Sequence, residues 1–291
     1  MDAPSSQEFL DSLSSAVKTI LYQQPPRLSV KGKIVTLPAK GSVVVVGDLH
    51  GDLESLERIM GDSGFEDRVM GGEDLYLLCL GDYVDRGPAQ VQVLHRLLRL
   101  LGSYPGRVVL LRGNHEGPAD VPFQPHDFPM VLRVEYGSEA TGVYREFKAL
   151  CDELYTAVIL PGRVLFVHGE VPAGLTGPLD LAYAHMEHPH KETLVEALWN
   201  DPTDEPGVHP SPRGVGVLVG PDVVDTALSR LGASTVVRSH QSCPDGWRRT
   251  GSTITVFSCR LPHYGNRRGA YLEVPLGGEE PVDLGGCARL F

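Results

Sequence analysis

Three stretches decide the fold of this chain: Gly47-Asp48-Leu49-His50-Gly51, Gly81-Asp82-Tyr83-Val84-Asp85-Arg86-Gly87 and Gly113-Asn114-His115-Glu116. Each follows an apolar run typical of a buried strand, at residues 43–46, 75–80 and 108–111. Each places Asp, Asn or His beside a glycine where the strand ends. Because an α/β protein gathers such side chains at the rim of its sheet, the pattern predicts a metal cluster there.

Composition sets broad limits on the function. The 291 residues suit one large α/β domain, and we predict a single catalytic domain over residues 1–291 with an N-terminal helix, within residues 1–27, packed on it. The formal net charge of -11 argues against nucleic-acid binding. Neither a signal peptide nor a membrane span is predicted. Five cysteines without a CxxC pattern predict reduced thiols and a cytoplasmic protein.

The remaining pattern is a mixture of helices and strands. Helices are predicted at Ser6–Tyr22, at 52–60, from Pro88 to Gly102 and at 144–155. The first of these is expected to be capped by Ser5 or Ser6 and to be stopped by Pro25-Pro26. Strands are predicted within 28–37 and at 163–167, 235–238, 253–257 and 270–274. The proline-rich segments 117–129 and 200–216 are predicted to be loops. This order favours an α/β sandwich with mixed sheets.

Two further histidines end predicted strands, His168 in His168-Gly169-Glu170 and His240 in Ser239-His240-Gln241. Two divalent ions held together need a bridging carboxylate, oxygen ligands and neutral imidazoles. Taken singly, an Asp-x-His-Gly is commonly a turn, and a strand-end histidine is commonly structural. Five such strand ends in one chain favour a metal site.

These motifs, in this order, resemble those of the phosphoprotein phosphatase family of binuclear-metal serine/threonine phosphatases, within the calcineurin-like metallophosphoesterases. The resemblance implies a β-sandwich of mixed sheets flanked by helices. It implies direct in-line attack on phosphorus by a hydroxide that bridges two divalent metal ions, with manganese, iron or zinc all compatible with the ligands. The implied ligands are Asp48 and His50 for one ion, Asp82 for both, and Asn114, His168 and His240 for the other.

The same resemblance implies the residues that handle protons and phosphate. His115 corresponds to the general acid, and Asp85 to the partner that orients it and keeps it protonated. Arg86 is expected to bind phosphate oxygens, as is Arg213, which follows Leu198-Trp199-Asn200-Asp201-Pro202 in Pro212-Arg213-Gly214. Tyr264 corresponds to a loop tyrosine at the phosphate site. The implied partner is a phosphorylated protein or peptide, with no nucleic acid and no membrane, and regulatory subunits stay unspecified.

Three features depart from the family pattern. Glu170 replaces a glycine and is expected to point to solvent, the alternative being a position near the second metal. The 260–269 loop carries Arg260, Arg267 and Arg268, which either favour acidic substrates or only solvate a loop tip. Residues 117–136 form an insertion like those of archaeal or bacterial members. His185, His188 and His190 are interpreted as a solvated loop rather than a metal site.

Two other functions compete with a serine/threonine phosphatase. A dinucleoside-tetraphosphate hydrolase or another small-molecule phosphoesterase would use the same metal core, but Asp85 and Glu116 favour the phosphatase, since the nucleotide-cleaving relatives commonly differ there. An inactive scaffold would have no need for the complete ligand set.

Overall fold

We describe a computed structural model that covers residues 2–22, 27–278 and 284–291. Two mixed β-sheets pack face to face, and helices cover both outer faces. Within the described residues no helix has the length and apolar character needed to cross a membrane. The predicted sandwich of mixed sheets flanked by helices is confirmed, whereas the single-domain assignment stays a prediction.

One sheet has five strands in the order β15-β14-β3-β4-β5. Their bounds are Ser42–Val46 (β3), Leu75–Cys79 (β4), Val108–Leu110 (β5), Ala270–Pro275 (β14) and Ala288–Leu290 (β15). Strands β3, β4 and β5 are parallel, and β14 is antiparallel to both of its neighbours. The three parallel strands are those predicted from the opening motifs, so their carboxyl ends reach one edge of the sheet.

The second sheet has seven strands in the order β1-β2-β6-β7-β11-β13-β12. Their bounds are Ser29–Lys31 (β1), Ile34–Thr36 (β2), Ala157–Leu160 (β6), Val164–Val167 (β7), Thr235–Arg238 (β11), Trp247–Thr250 (β12) and Thr253–Val256 (β13). Strands β7, β11 and β13 are parallel, so His168 and His240 also follow the carboxyl ends of parallel strands.

Nine helices lie within the described residues: Ser6–Tyr22 (α1), Leu53–Ser63 (α2), Phe65–Met70 (α3), Gln90–Ser103 (α4), Phe128–Tyr136 (α5), Ala140–Glu153 (α6), Pro178–Glu187 (α7), Thr193–Trp199 (α8) and Pro221–Leu231 (α9). Helices α1 to α6 pack on the outer face of the five-stranded sheet, and α7 and α9 on that of the seven-stranded sheet. Successive side chains of a strand point to opposite faces of its sheet. Val44 and Val46 of β3 therefore face the helices, while Val43 and Val45 face the other sheet.

The helix starts follow from capping. Asp52 caps α2 by accepting a hydrogen bond from the Ser55 backbone N–H at 3.0 Å. At α1, Ser5 and Glu8 form reciprocal hydrogen bonds, so Ser5 is the capping residue. Phe9 and Leu13 of α1 are buried, whereas Leu21 near the end of the helix is 46% exposed. The predicted stop at Pro25-Pro26 lies outside the described residues.

Several predicted boundaries were wrong. Helix α4 begins after Pro88, at Gln90, and passes through Gly102, because a glycine on an exposed helix face costs little stability. Helix α6 begins at Ala140, four residues before the predicted start, and α5 begins at Phe128, inside the predicted 117–129 loop. The 200–216 loop contains Asp201–Pro202 (β8) and Val208–Pro210 (β9), which pair with Val217–Val219 (β10) in a small sheet.

Candidate metal and phosphate site

The two sheets meet at the edge where the ligand candidates lie. Asp48 forms a parallel β-bridge with Phe257, which follows β13. The backbone N–H of Asp48 donates to Ser239 Oγ at 2.8 Å. In turn, the His240 backbone N–H donates to Asp48 Oδ1 at 3.0 Å. These bonds join the end of β3 to the ends of β11 and β13, so ligands from both sheets converge.

All eight predicted metal and proton-transfer residues are buried. Asp48, His50, Asp82, Asn114, His168, His240, His115 and Asp85 are between 0% and 7% exposed. Buried polar groups at this density are stable only when they bond one another or a bound ion. The prediction that these residues belong to one site therefore agrees with their placement.

The ligand atoms form two groups that share Asp82. In one group, ligand atoms of Asp82, His50 and His115 all lie within 4.8 Å of one another, and in the other those of Asp82, His168 and His240 do so. Asp48 Oδ2 lies 3.6 Å from His50 Nε2, which places it beside the first group. Asp82 is the residue that the two groups share, and its role as a ligand common to two ions stays a prediction.

The donor chemistry fits divalent cations. His50 Nδ1 lies 2.9 Å from the Val84 carbonyl oxygen, and His168 Nδ1 lies 2.9 Å from that of Leu80. Each Nδ1 therefore carries the proton, and each Nε2 lone pair faces the site. One amide atom of Asn114 lies 2.9 Å from His240 Nδ1, 3.0 Å from His168 Nε2 and 3.0 Å from Asp82 Oδ2. If that atom is the oxygen, all these neighbours are acceptors, an arrangement that a cation stabilises.

Electrostatics favours the metal-binding forms of Asp48 and His240. Burial opposes ionisation of Asp48, but the neighbouring His50 and His168 outweigh this and lower its pKa. Burial, together with Arg213 and His168, holds the pKa of His240 well below its usual value. A carboxylate and a neutral imidazole are the forms that bind metals.

The backbone is strained where these residues lie. Five non-glycine residues among those described have positive φ: His50 (44°), Asp82 (55°), Asp85 (66°), Arg86 (74°) and His240 (68°). Each such conformation costs on the order of 1–3 kcal/mol, so the surrounding structure must hold it. Part of that support comes from Gly113, where a Cβ would lie 2.2 Å from Asp82 Oδ1.

Comparison with known proteins identifies the family of this chain. The calcineurin-like phosphoesterase family profile matches residues 41–244. The chain belongs to the calcineurin-like phosphoesterase family. A probable serine/threonine-protein phosphatase of Encephalitozoon cuniculi is 32% identical over 285 residues, which are 95% of this chain and 60% of that protein. The chain therefore spans about three fifths of the length of this curated relative.

Solved structures share the fold. A serine/threonine phosphatase from Saccharomyces cerevisiae with similarity to human phosphatase PP5 superposes with a TM-score of 0.78 at 23% identity, covering 99% of this chain and 89% of that one. A cold-active protein-tyrosine phosphatase of a psychrophilic Shewanella species gives 0.52 at 17% identity, covering 84% and 78%. The predicted membership among calcineurin-like metallophosphoesterases is confirmed.

The predicted proton-transfer pair of this phosphoesterase is in contact. His115 Nδ1 lies 2.7 Å from Asp85 Oδ2, and both side chains are fully buried. Asp85 accepts from several donors, so hydrogen bonds outweigh burial and lower its pKa. Burial also lowers the pKa of His115, although Asp82 and Asp85 oppose that effect. That Asp85 orients His115 and keeps it protonated stays a prediction.

Two of the three predicted phosphate ligands line a cavity of about 450 Å³. Arg86 and Arg213 lie on its wall with His115 and Asn114. Arg86 donates to Tyr264 Oη at 2.7 Å and lies 2.9 Å from His115 Nε2 and 3.0 Å from His50 Nε2. Tyr264 is therefore brought to the site, although its loop differs from the family pattern.

Two of the departures are resolved. Glu170 is fully buried, so the expectation that it points to solvent was wrong. Its carboxylate accepts from the Val171 backbone N–H at 2.9 Å and from Thr253 Oγ1 at 2.8 Å. His185 lies in α7 and His188 ends that helix, where His188 Nε2 bonds Asp120 at 2.9 Å. No metal group within the described residues includes either histidine.

Sequence reasoning missed several supporting residues. Glu116 accepts from the backbone N–H groups of Asp82, Tyr83 and Gly113, which fixes the loop that carries Asp82. Asp201 accepts from Arg213 Nε at 2.6 Å and from the fully buried Arg238 at 3.0 Å. Asp201 belongs to the Trp-Asn-Asp-Pro motif that precedes Arg213. This closeness in sequence was the one available signal that the two side chains meet.

Proposed function

We propose that the chain is a metal-dependent serine/threonine protein phosphatase, acting on phosphorylated proteins or peptides. One observation carries the proposal: two ligand groups share Asp82, and the His115–Asp85 pair borders the same cavity as Arg86. A cation-binding centre, a proton donor and an anion-binding arginine around one space would together suit hydrolysis of a phosphate monoester. The name of the Encephalitozoon cuniculi relative supports the choice of substrate.

The ligands would be Asp48 and His50 on one side, Asp82 in the middle, and Asn114, His168 and His240 on the other. When bound, two divalent ions would supply a nucleophilic hydroxide and neutralise phosphate charge. Nitrogen and oxygen ligands without sulfur suit manganese, iron or zinc, and we expect manganese to support activity in vitro.

The phosphate would be oriented by arginines. Arg86 is half-buried, and its contact with Tyr264 fixes one edge of the guanidinium. Arg213 is held at Nε by Asp201, and its Nη2 donates to the His240 carbonyl oxygen at 3.3 Å. A planar guanidinium held in this way can present paired N–H donors to phosphate oxygens.

His115 would protonate the leaving oxygen. Its Nδ1 is committed to Asp85, so the proton to be transferred is on Nε2, which faces the cavity. Burial lowers the pKa of His115, but a phosphate dianion in the cavity would raise it. We infer that substrate binding charges this histidine.

The cysteines bear on the location of the protein. Cys79, Cys151, Cys243 and Cys259 are buried and form no disulfide, which supports a reducing, cytoplasmic compartment. No regulatory subunit is proposed.

The test uses metal-stripped protein reloaded with manganese, zinc or iron. Phosphoserine and phosphothreonine peptides, p-nitrophenyl phosphate and a dinucleoside tetraphosphate are assayed in parallel, with metal content measured on each sample. We expect reloaded protein to hydrolyse the peptides, and His115→Asn to retain its metals and lose about 10²–10⁴ in kcat on them. Much faster cleavage of the dinucleoside tetraphosphate than of every peptide would overturn the proposal.

A further inference from the structure

The insertion at residues 117–136 packs directly on the proton-transfer pair. The ring of Phe123 lies 4.4 Å from that of His115, measured between centroids. Phe123 and Val121 also pack against a hydrophobic cluster that contains Trp199 and other residues of α8. The insertion is therefore anchored on the far side of the cavity and closes over His115.

Asp85 receives most of its hydrogen bonds from this insertion. The backbone N–H groups of Asp127 and Phe128 donate to Asp85 Oδ1 at 2.9 and 2.8 Å. His126 Nδ1 lies 3.3 Å from Asp85 Oδ2, the oxygen that also bonds His115. A carboxylate that faces donors on both oxygens cannot rotate without breaking several bonds.

His126 uses both of its ring nitrogens although it lies at the surface. Its Nε2 is 2.9 Å from Tyr144 Oη, and its ring is flanked by Phe123 at 4.8 Å and Tyr144 at 5.9 Å. Asp85 is a carboxylate and can only accept, so Nδ1 of His126 must carry a proton. The hydroxyl of Tyr144 can donate to Nε2 of the neutral ring, which favours the tautomer with its proton on Nδ1.

We propose that His126 is a positioning residue for the His115–Asp85 pair, and that Tyr144 sets the His126 tautomer for that purpose. The inference rests on the proposed function, since the pair is assigned there as the proton donor. Asp85 lies in a strained conformation with φ of 66°, so its carboxylate needs external bonds to point at His115. His126 supplies the bond beside the one to His115, and it makes proton donation depend on the insertion.

Two substitutions separate the hydrogen bond from the bulk of the ring. His126→Leu removes the donor, whereas His126→Asn can place its amide N–H near the Nδ1 position. The control is His190→Leu, another exposed histidine, which lies outside the site. Each variant is assayed with a phosphoserine peptide, whose leaving group needs a proton, and with p-nitrophenyl phosphate, whose leaving group hardly does. Metal content is measured in parallel.

We expect His126→Leu to keep both metals and to lose about 3- to 10-fold in kcat on the peptide, because the 3.3 Å bond is at the long end of the hydrogen-bond range. The loss on p-nitrophenyl phosphate should stay below about 2-fold by the same leaving-group argument. His126→Asn should recover most of the peptide activity. Equal losses on both substrates, no loss at all, or an Asn variant as poor as the Leu variant would overturn the proposal.

A second measurement does not depend on catalysis. Nitrogen-15 spectra of zinc-loaded protein, assigned by comparison with His126→Asn, should show the proton of His126 on Nδ1. In Tyr144→Phe that preference should weaken while the metal content stays unchanged. If the parent protein hydrolyses no phosphopeptide, the proposed function fails, and these spectra still decide the His126 geometry. A proton on Nε2 in the parent protein would refute it.

Discussion

Replacing Asp85 by Asn isolates the electrostatic part of the proposed proton transfer, because the two side chains have nearly the same shape. Asp85 Oδ1 accepts from the backbone N–H groups of Asp127 and Phe128, so the amide oxygen of Asn should stay at that position. The amide NH₂ would then face His115 Nδ1, where a carboxylate oxygen now lies at 2.7 Å. His115 would have to accept at Nδ1, which excludes the imidazolium form that needs a proton on both nitrogens.

The size of the effect follows from the bond that is lost. A hydrogen bond to a charged group contributes about 1.5–3 kcal/mol, and both partners here are fully buried, where screening by water is weakest. At about 1.4 kcal/mol per factor of ten, kcat on a phosphoserine peptide should fall by roughly 10- to 150-fold. This is less than the loss expected for His115→Asn, because the imidazole remains in place.

The assay compares kcat across phosphate monoesters whose leaving groups have graded pKa values. In Asp85→Asn the dependence of log kcat on leaving-group pKa should steepen, since poor leaving groups lose their proton donor while p-nitrophenolate does not need one. Metal content should match the parent protein. A uniform decrease across the series with full metal occupancy would show that Asp85 acts through general stability of the site, and the proton-transfer assignment would be withdrawn.

Three further outcomes are expected. Asp82→Asn should reduce the content of both metals in elemental analysis, since Asp82 alone belongs to both ligand groups, and two full equivalents per chain would contradict the shared role. Arg213→Lys should lower kcat/KM by about 10-fold or more, because a lysine ammonium cannot both bond Asp201 and present two parallel N–H donors to phosphate. If the variant has the same kcat/KM as the parent protein, Arg213 is not part of the site. Peptides with acidic flanks should be preferred by less than about 3-fold at low salt, since Arg267 is already paired with Asp245 at 2.8 Å. A strong preference would show that the other arginines of that loop act on substrate.

The part of the site that follows strand ends could be predicted from the sequence. Apolar runs identify buried strands, and the carboxyl ends of parallel strands share an edge, so Asp48, Asp82 and Asn114 had to lie near one another. His168 and His240 follow the same rule in the second sheet. Local pattern and one topological regularity were sufficient for these five positions.

The residues that support the ligands could not be predicted, because their partners are distant in sequence. Glu170 was expected to point to solvent, but Thr253 of β13 provides a buried hydroxyl for it. Arg267 appeared to be a free cation until the fold brought Asp245 beside it. Hydropathy patterns record the face of an element that is buried, and they contain no information about which polar groups meet across it.

The strained residues show why the site needs those unpredicted partners. His50, Asp82, Asp85, Arg86 and His240 adopt left-handed backbone conformations, which are uncommon in non-glycine residues although Asp and His adopt them more often than most. Their combined cost, on the order of 5–15 kcal/mol if each costs about 1–3 kcal/mol, is comparable with the stability of a whole domain. Hydrogen bonds must therefore hold these turns. The backbone N–H of Asp82 donates to the Glu116 carboxylate, and the backbone N–H of Arg86 donates to the Asp127 carboxylate. It follows that substitutions at Glu116 or Asp127 should impair the site as a whole, since they release the backbone that aims the functional side chains.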